Sequence, residues 1–206
     1  MLITIEGVSG AGKTTLTRCL IARLRESEQD VIDLAEVEQI SADPAWHLGQ
    51  LMRAMTTQFA DREAALLYTA RTAGRVRLAC ERMADWAIPV VVADRLGLSL
   101  SVQLRRAGLD TSTRHALYAM AMSGLPQPVT VLLEVSHHEH VRRLRARGHR
   151  PLPEPTFNDQ RNLFRSEYDR CQQPRLLVDT SGMDASEVEA AVLNLICPLT
   201  AGPATS

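Results

Sequence analysis

Residues 4–16 read TIEGVSGAGKTTL: a short alternating apolar run, then glycines, then a lysine and two threonines. Within it, Gly7–Thr14 has the form GxxxxGK[ST]. Glycines let successive backbone N–H groups curl around an anion. The helix expected to open at Lys13 adds the positive end of its dipole. Lys13 then reaches the β- and γ-phosphates of a nucleoside triphosphate, and the Thr14 hydroxyl binds Mg²⁺. The stretch predicts a strand, a phosphate-holding loop and a helix. Its candidate nucleotide-binding residues are Gly7, Gly10, Ala11, Gly12, Lys13, Thr14 and Thr15. It does not identify the molecule that receives the phosphate.

The chain has 206 residues, the size of a single domain with one sizeable core. A net charge of −1 gives no global basic field, so nucleic acid and membrane surfaces are not expected as partners. Cys19, Cys80, Cys171 and Cys197 are far apart and form no CxxC pair, which fits a reduced cytoplasmic setting. The N-terminus lacks a basic region and a long apolar run, so no signal peptide is expected. No stretch approaches the ~20 apolar residues of a membrane span. Lys13 is the only lysine among 23 basic residues, and it falls where a compact ammonium suits the space between phosphates better than a guanidinium fork.

Apolar runs at 2–6, 31–35, 89–94, 129–135 and 175–179 read as strands. Helices are expected over 13–28, from Asp43-Pro44 to about 59, and over 62–86, 98–106, 112–122, 137–147, 157–171 and 184–196. Ser136 and Glu139 form a capping box for the sixth of these, 137–147. Strands alternating with helices predict an α/β, three-layer fold with a five-stranded parallel sheet. Residues 1–197 are expected to form one domain, with a lid at about 142–156 and a frayed tail at 198–206.

Asp94-Arg95 ends an apolar strand, at the carboxyl edge where open α/β sheets bind ligands. There Asp94 is a candidate Mg²⁺ ligand through water. Arg95 is a candidate clamp on an acceptor phosphate; a surface ion pair is the plainer reading. Arg142, Arg143, Arg145, Arg147 and Arg150 fall within nine residues. Such a run is usually a solvated face, but it leads into a proline-rich loop and suits a mobile basic lid over triphosphate. Of these, Arg143 is a candidate for nucleotide binding, and Arg147 and Arg150 for catalysis. His137, His138 and His140 lack further ligands at metal spacing and are expected as exposed histidines at a helix start. Trp46 and Trp86 are expected to be packing residues.

The order of these pieces resembles the thymidylate kinases, a branch of the P-loop nucleoside and nucleotide kinases. IEGVSGAGKTTL is similar to the family's opening, LLYTARTAGRV (66–76) to its LLF-x-A-x-R helix, and DRLGLSLSVQLRRAGLD (94–110) to its DRY…YQG…RGL segment. AMSGLPQPVTVLLEVS (121–136) resembles its GL-x-PDLT-x-LLDV stretch, and RRLRARGHR falls on its lid. The resemblance covers about residues 1–180. It implies the P-loop NTPase fold and transfer of the ATP γ-phosphoryl group to thymidine monophosphate with Mg²⁺. It also implies Tyr68 stacking on the acceptor base, Gln103 as the YQG glutamine, and a homodimer through helices like 62–86.

The acceptor side departs from the family pattern. Ser9 stands where the family has an Asp that meets the sugar. Ala35-Glu36-Val37 replaces an Arg-Glu-Pro run. Thr72 takes the place of an arginine that reads thymine, with Arg71 one step, and ~100° of helix, away. These departures imply an acceptor other than thymidine monophosphate: another nucleoside monophosphate or similar phosphorylated molecule. One alternative is a neutral nucleoside or alcohol, with Glu36 as base and Glu38 as its nearby substitute. A second is a non-catalytic nucleotide-dependent switch.

Overall fold

The computed structural model describes residues 1–54, 60–85, 90–172 and 174–200, the side chains of 85 and 197–200 excepted. Its strands are β1 (Leu2–Gly7), β2 (Val31–Asp33), β3 (Val90–Asp94), β4 (Val129–Glu134) and β5 (Arg175–Asp179). They form one parallel sheet in the order β2-β3-β1-β4-β5. The helices are α1 (Lys13–Glu26), α2 (Leu34–Ile40), α3 (Pro44–Ala54), α4 (Asp61–Asp85), α5 (Gly97–Arg106), α6 (Thr111–Ala121), α7 (His137–Ala146), α8 (Glu154–Tyr168) and α9 (Ala185–Thr200). The expected five-stranded α/β architecture is therefore present.

Strand alternation sorts the core into layers. Ile3 and Ile5 of β1 and Val90 and Val92 of β3 share a cluster with Leu16 and Leu20 of α1 and Val192 and Ile196 of α9. Leu2, Val91 and Ala93 face the other way, onto Val76, Leu78 and Ala79 of α4. Because every strand is parallel, Gly7 and Asp94 arrive side by side at the carboxyl edge; Ile5 is in register with Asp94. Among the described residues no helix is long and apolar enough to cross a membrane.

Three boundaries differ from the sequence reading. The strand expected over 31–35 stops at Asp33, whose carboxylate accepts the Ala35 N–H at 2.9 Å and starts α2, a helix the apolar run concealed. α8 opens at Glu154, with Pro155 in the first turn, where proline costs no helical hydrogen bond. α9 runs on through Pro198 to Thr200, past the end expected at 196. Asp43 does cap α3, accepting from Ala45 N at 2.8 Å. Residues 55–59, Trp86 and the tail from 201 lie outside the described residues.

Phe157 is fully buried, its ring against His137 and His140. Phe157→Ala is expected to cost about 3–5 kcal/mol in urea unfolding, whereas Met120→Ala, on the surface, should stay within about 0.5 kcal/mol.

Candidate active site

The loop after β1 adopts the left-handed turns its glycines foreshadow: φ is 136° at Gly7, 80° at Gly10 and 97° at Gly12. At Gly7 a Cβ would stand 2.2 Å from the Leu133 carbonyl oxygen, so β4 admits no side chain there. Gly12 precedes α1 without any side-chain cap, which leaves the N–H groups of the first turn for an anion. Lys13 is buried, and its Nζ donates to the Val8 carbonyl at 2.8 Å. Burial, then the nearby Arg95, lowers its pKa to about 7, against the pull of Asp94 and Glu6.

Thr14 and Asp94 meet: the threonine Oγ1 donates to Asp94 Oδ2 at 2.9 Å. Asp94 Oδ1 is buried and has no partner among the described residues. A hydroxyl oxygen and an open carboxylate oxygen, side by side, are the hard donors that Mg²⁺ takes. Arg95 follows at φ 68°, in the left-handed region. Its N–H reaches Ile5 O at 2.9 Å, and its Nη1 donates to Ser99 Oγ at 3.3 Å.

Two buried groups hold this corner. Glu6 accepts from the N–H groups of Leu96 (2.7 Å), Leu98 (3.2 Å) and Ser99 (3.2 Å) and from the Ser99 hydroxyl. Burial pushes its pKa up, and those bonds pull it back. Arg75 donates from Nη1 to the carbonyls of Asp94 (3.2 Å) and Arg95, and from Nε to buried Glu38. Neither Glu6 nor Arg75 was a sequence candidate. The signal for Glu6 was a lone carboxylate in an apolar strand; for Arg75 it was the four-residue step from Arg71 on one helix face.

Among the acceptor candidates, Tyr68 is buried beneath Ser99, Arg95 and Arg71, which face its phenol. Arg71 donates from Nη2 to Glu38 at 3.3 Å; Gly49 on α3 leaves it room, since a Cβ there would stand 2.7 Å from its Nε. Thr72 is buried within α4, Gln103 is half-buried on α5, and the Ser9 side chain is exposed. Glu36 does not join them. It sits on the exposed face of α2, 3.5 Å from Arg25, because two helical steps, ~200°, separate it from the inward Glu38.

The nucleotide side is a cavity of about 240 Å³ lined by Ala11, Gly12, Thr15, Arg143, Arg147 and Val188 among others. Of the arginine run, Arg143 is bonded into the wall, while Arg147 lines it from an exposed position. Arg143 donates to Gly10 O (3.2 Å), Thr180 O (2.7 Å) and Thr180 Oγ1 (3.0 Å), and to Glu139. The Thr180 hydroxyl lies 3.1 Å from Ala11 O and 3.0 Å from Glu134 O. Arg142, Arg145, Arg147 and Arg150 are exposed. The capping box is half made: Ser136 accepts the Glu139 N–H at 3.3 Å, but the Glu139 carboxylate turns to Arg142 and Arg143, which hold its pKa down at about 2.

His140 overturns the expectation of exposed histidines. It is fully buried, with Nδ1 2.8 Å from Ser9 O and Nε2 3.1 Å from Leu152 N. A carbonyl on one side and an N–H on the other require the neutral ring with its proton on Nδ1. His137 Nε2 meets Leu152 O at 3.1 Å, so two histidines tether the chain beyond the arginine run. Trp46 is half-buried under Arg53.

Residues 5–188 match the sequence model of the thymidylate kinase family. A thymidylate kinase of Solidesulfovibrio magneticus is 34% identical over 141 residues, which cover 66% of this chain and 64% of that protein. One of Thermomicrobium roseum is 33% identical over 153 residues, 70% of this chain and 67% of the relative. One of Xanthomonas oryzae pv. oryzae is 34% identical over 170 residues, 80% and 68% respectively.

Glu6→Gln keeps the shape but sets an amide NH₂ against backbone N–H groups. It is expected to cost about 1–3 kcal/mol in thermal unfolding, whereas Glu36→Gln should leave stability unchanged.

Proposed function

The chain belongs to the thymidylate kinase family, and we propose that it is an ATP-dependent nucleotide kinase whose acceptor is a nucleoside monophosphate other than thymidine monophosphate. The observation that carries this reading is one contrast. The triphosphate side is complete, with buried Lys13 beside a joined Thr14–Asp94 pair, while the acceptor side is rebuilt around Glu38.

On the donor side, Lys13 exchanges the Val8 carbonyl for phosphate oxygens, and the amides at the start of α1 take the rest of the charge. Thr14 and Asp94 would hold Mg²⁺, which would supply charge neutralisation for the phosphates. Arg143 walls the nucleotide cavity. Arg147 stands at its mouth and Arg150 farther out, on a lid that brings them to the transferring group when it closes.

On the acceptor side, Arg95 takes the phosphate, steered by Ser99; Gln103 lies one turn on, on the same face of α5. Arg71 and Arg75 stand near the lost arginine positions but share one carboxylate, and Arg75 is engaged by two backbone carbonyls. That leaves Arg71 to read the acceptor, from a different angle than the family's arginine. The placement of its two candidate bases weighs against the hydroxyl-acceptor alternative: Glu36 faces solvent, and two guanidiniums hold Glu38. A phosphate acceptor is already a nucleophile and needs none. A homodimer through α4, where Leu66 is exposed, and a reducing cytoplasm in which Cys19, Cys80 and Cys171 stay free fit the same reading.

In an ATP-consumption screen over nucleoside monophosphates, another acceptor should exceed thymidine monophosphate by at least ~100-fold in kcat/KM, the scale of two lost polar contacts. Lys13→Ala should abolish turnover at unchanged Tm. Arg95→Ala should raise the acceptor's KM sharply while Glu36→Gln does little; the reverse order would favour a hydroxyl acceptor. In steady-state kinetics Arg147→Ala should lower kcat more than it weakens ATP binding, and wild-type turnover in both it and Arg150→Ala would return the run to a solvated face.

A further inference from the structure

We infer that the chain has a second ligand site, apart from the phosphate-loop cleft, that takes a small polyanion bearing phosphate groups. The site is a cavity of about 760 Å³ between α5, α6 and α8, within the ordinary range for small-molecule sites. Leu104, Tyr118 and Pro128 give it apolar walls; Arg105, Arg114 and Arg170 bring three guanidiniums to it. Among the described residues Glu167 is the only carboxylate in the lining, and one of its oxygens takes both Arg105 and Arg170, each at 2.7 Å. Arg114 has only a hydroxyl, Thr111 Oγ1 at 3.0 Å, and its Nε is buried without a partner among the described residues. Three cations against one anion leave a surplus in a concave, partly apolar space. Planar forks with unused donors match phosphate oxygens better than any neutral ligand.

α5 lies between this cavity and the cleft. Ser99 faces Glu6 and Arg95, whereas Ser101, two steps or ~200° farther round, lines the cavity with Arg105. The cavity wall also touches the start of α5, for a Cβ on Gly97 would stand 2.8 Å from the Tyr118 hydroxyl. An occupant therefore bears on the helix that positions Arg95. The inference needs neither the donor nor the acceptor assigned above.

The test is titration calorimetry on the full chain saturated with ADP, using inorganic tripolyphosphate as probe. Tripolyphosphate is expected to bind one to one under ADP saturation. Arg114→Ala should weaken it by about tenfold or more, leaving Tm, ADP affinity and turnover as in the wild type, and Arg114→Lys should recover part of the loss. Running a nucleoside triphosphate in parallel separates the sources. Tighter binding than tripolyphosphate means a nucleotide that uses the apolar wall, and equal binding means free polyphosphate. Tripolyphosphate binding that disappears with ADP present, or that survives Arg114→Ala undiminished, overturns the site.

Discussion

The carboxylate of Glu6 is the constraint on which the rest of the site depends. It is the last side chain before the phosphate loop, and it is fully buried. Through the N–H groups of Leu96, Leu98 and Ser99 it holds the first turn of α5 against the end of β1. An anion at a helix N-terminus is favoured by the dipole and by otherwise unsatisfied amides. Arg95 lies between that turn and β3, so its left-handed backbone is set from both sides. β1 supplies the Ile5 carbonyl to its N–H, and Arg75 grips its carbonyl. The loop that cradles phosphate and the arginine assigned to the acceptor are thus indexed to the same strand end.

The two walls of the cleft are built from different physics. The nucleotide wall is cross-linked largely to the backbone: His140 between Ser9 and Leu152, and Arg143, itself paired with Glu139, between Gly10 and Thr180. The acceptor wall is an ion network, two arginines on one buried glutamate. Breaking one partner of such a network leaves an uncompensated buried charge, at about 3–5 kcal/mol. On the reading proposed above, specificity at that wall would change by rearranging the whole set rather than by one substitution.

Sequence pattern made the sheet, the phosphate loop and the Asp94-Arg95 corner readable because each rests on local rules: alternation, glycine turns, the end of an apolar strand. α2 was hidden because Leu34 and Ala35 continue an apolar run, and only the Asp33 side chain stops it. Sequence position favours Glu36, with Glu38 only as its substitute; which one enters the protein depends on the phase of α2, which the apolar run conceals. His140 is buried because it shares one inward face of α7 with Leu144, four residues on, a pairing that the surrounding arginines obscure in sequence. The Glu38–Arg75 pair spans 37 positions, and nothing local reports it.

Thr180 sits where β5 leaves the sheet, with two carbonyl oxygens in reach of its hydroxyl, Ala11 of the loop and Glu134 of β4. A hydroxyl carries a single hydrogen, so the two carbonyls receive it by turns. Glu134 O also accepts the Thr180 N–H at 2.9 Å and is never left bare; Ala11 O depends on the rotor. The hydroxyl therefore joins cradle and sheet through one hydrogen shared between two carbonyls, and a change of partner displaces no heavy atom.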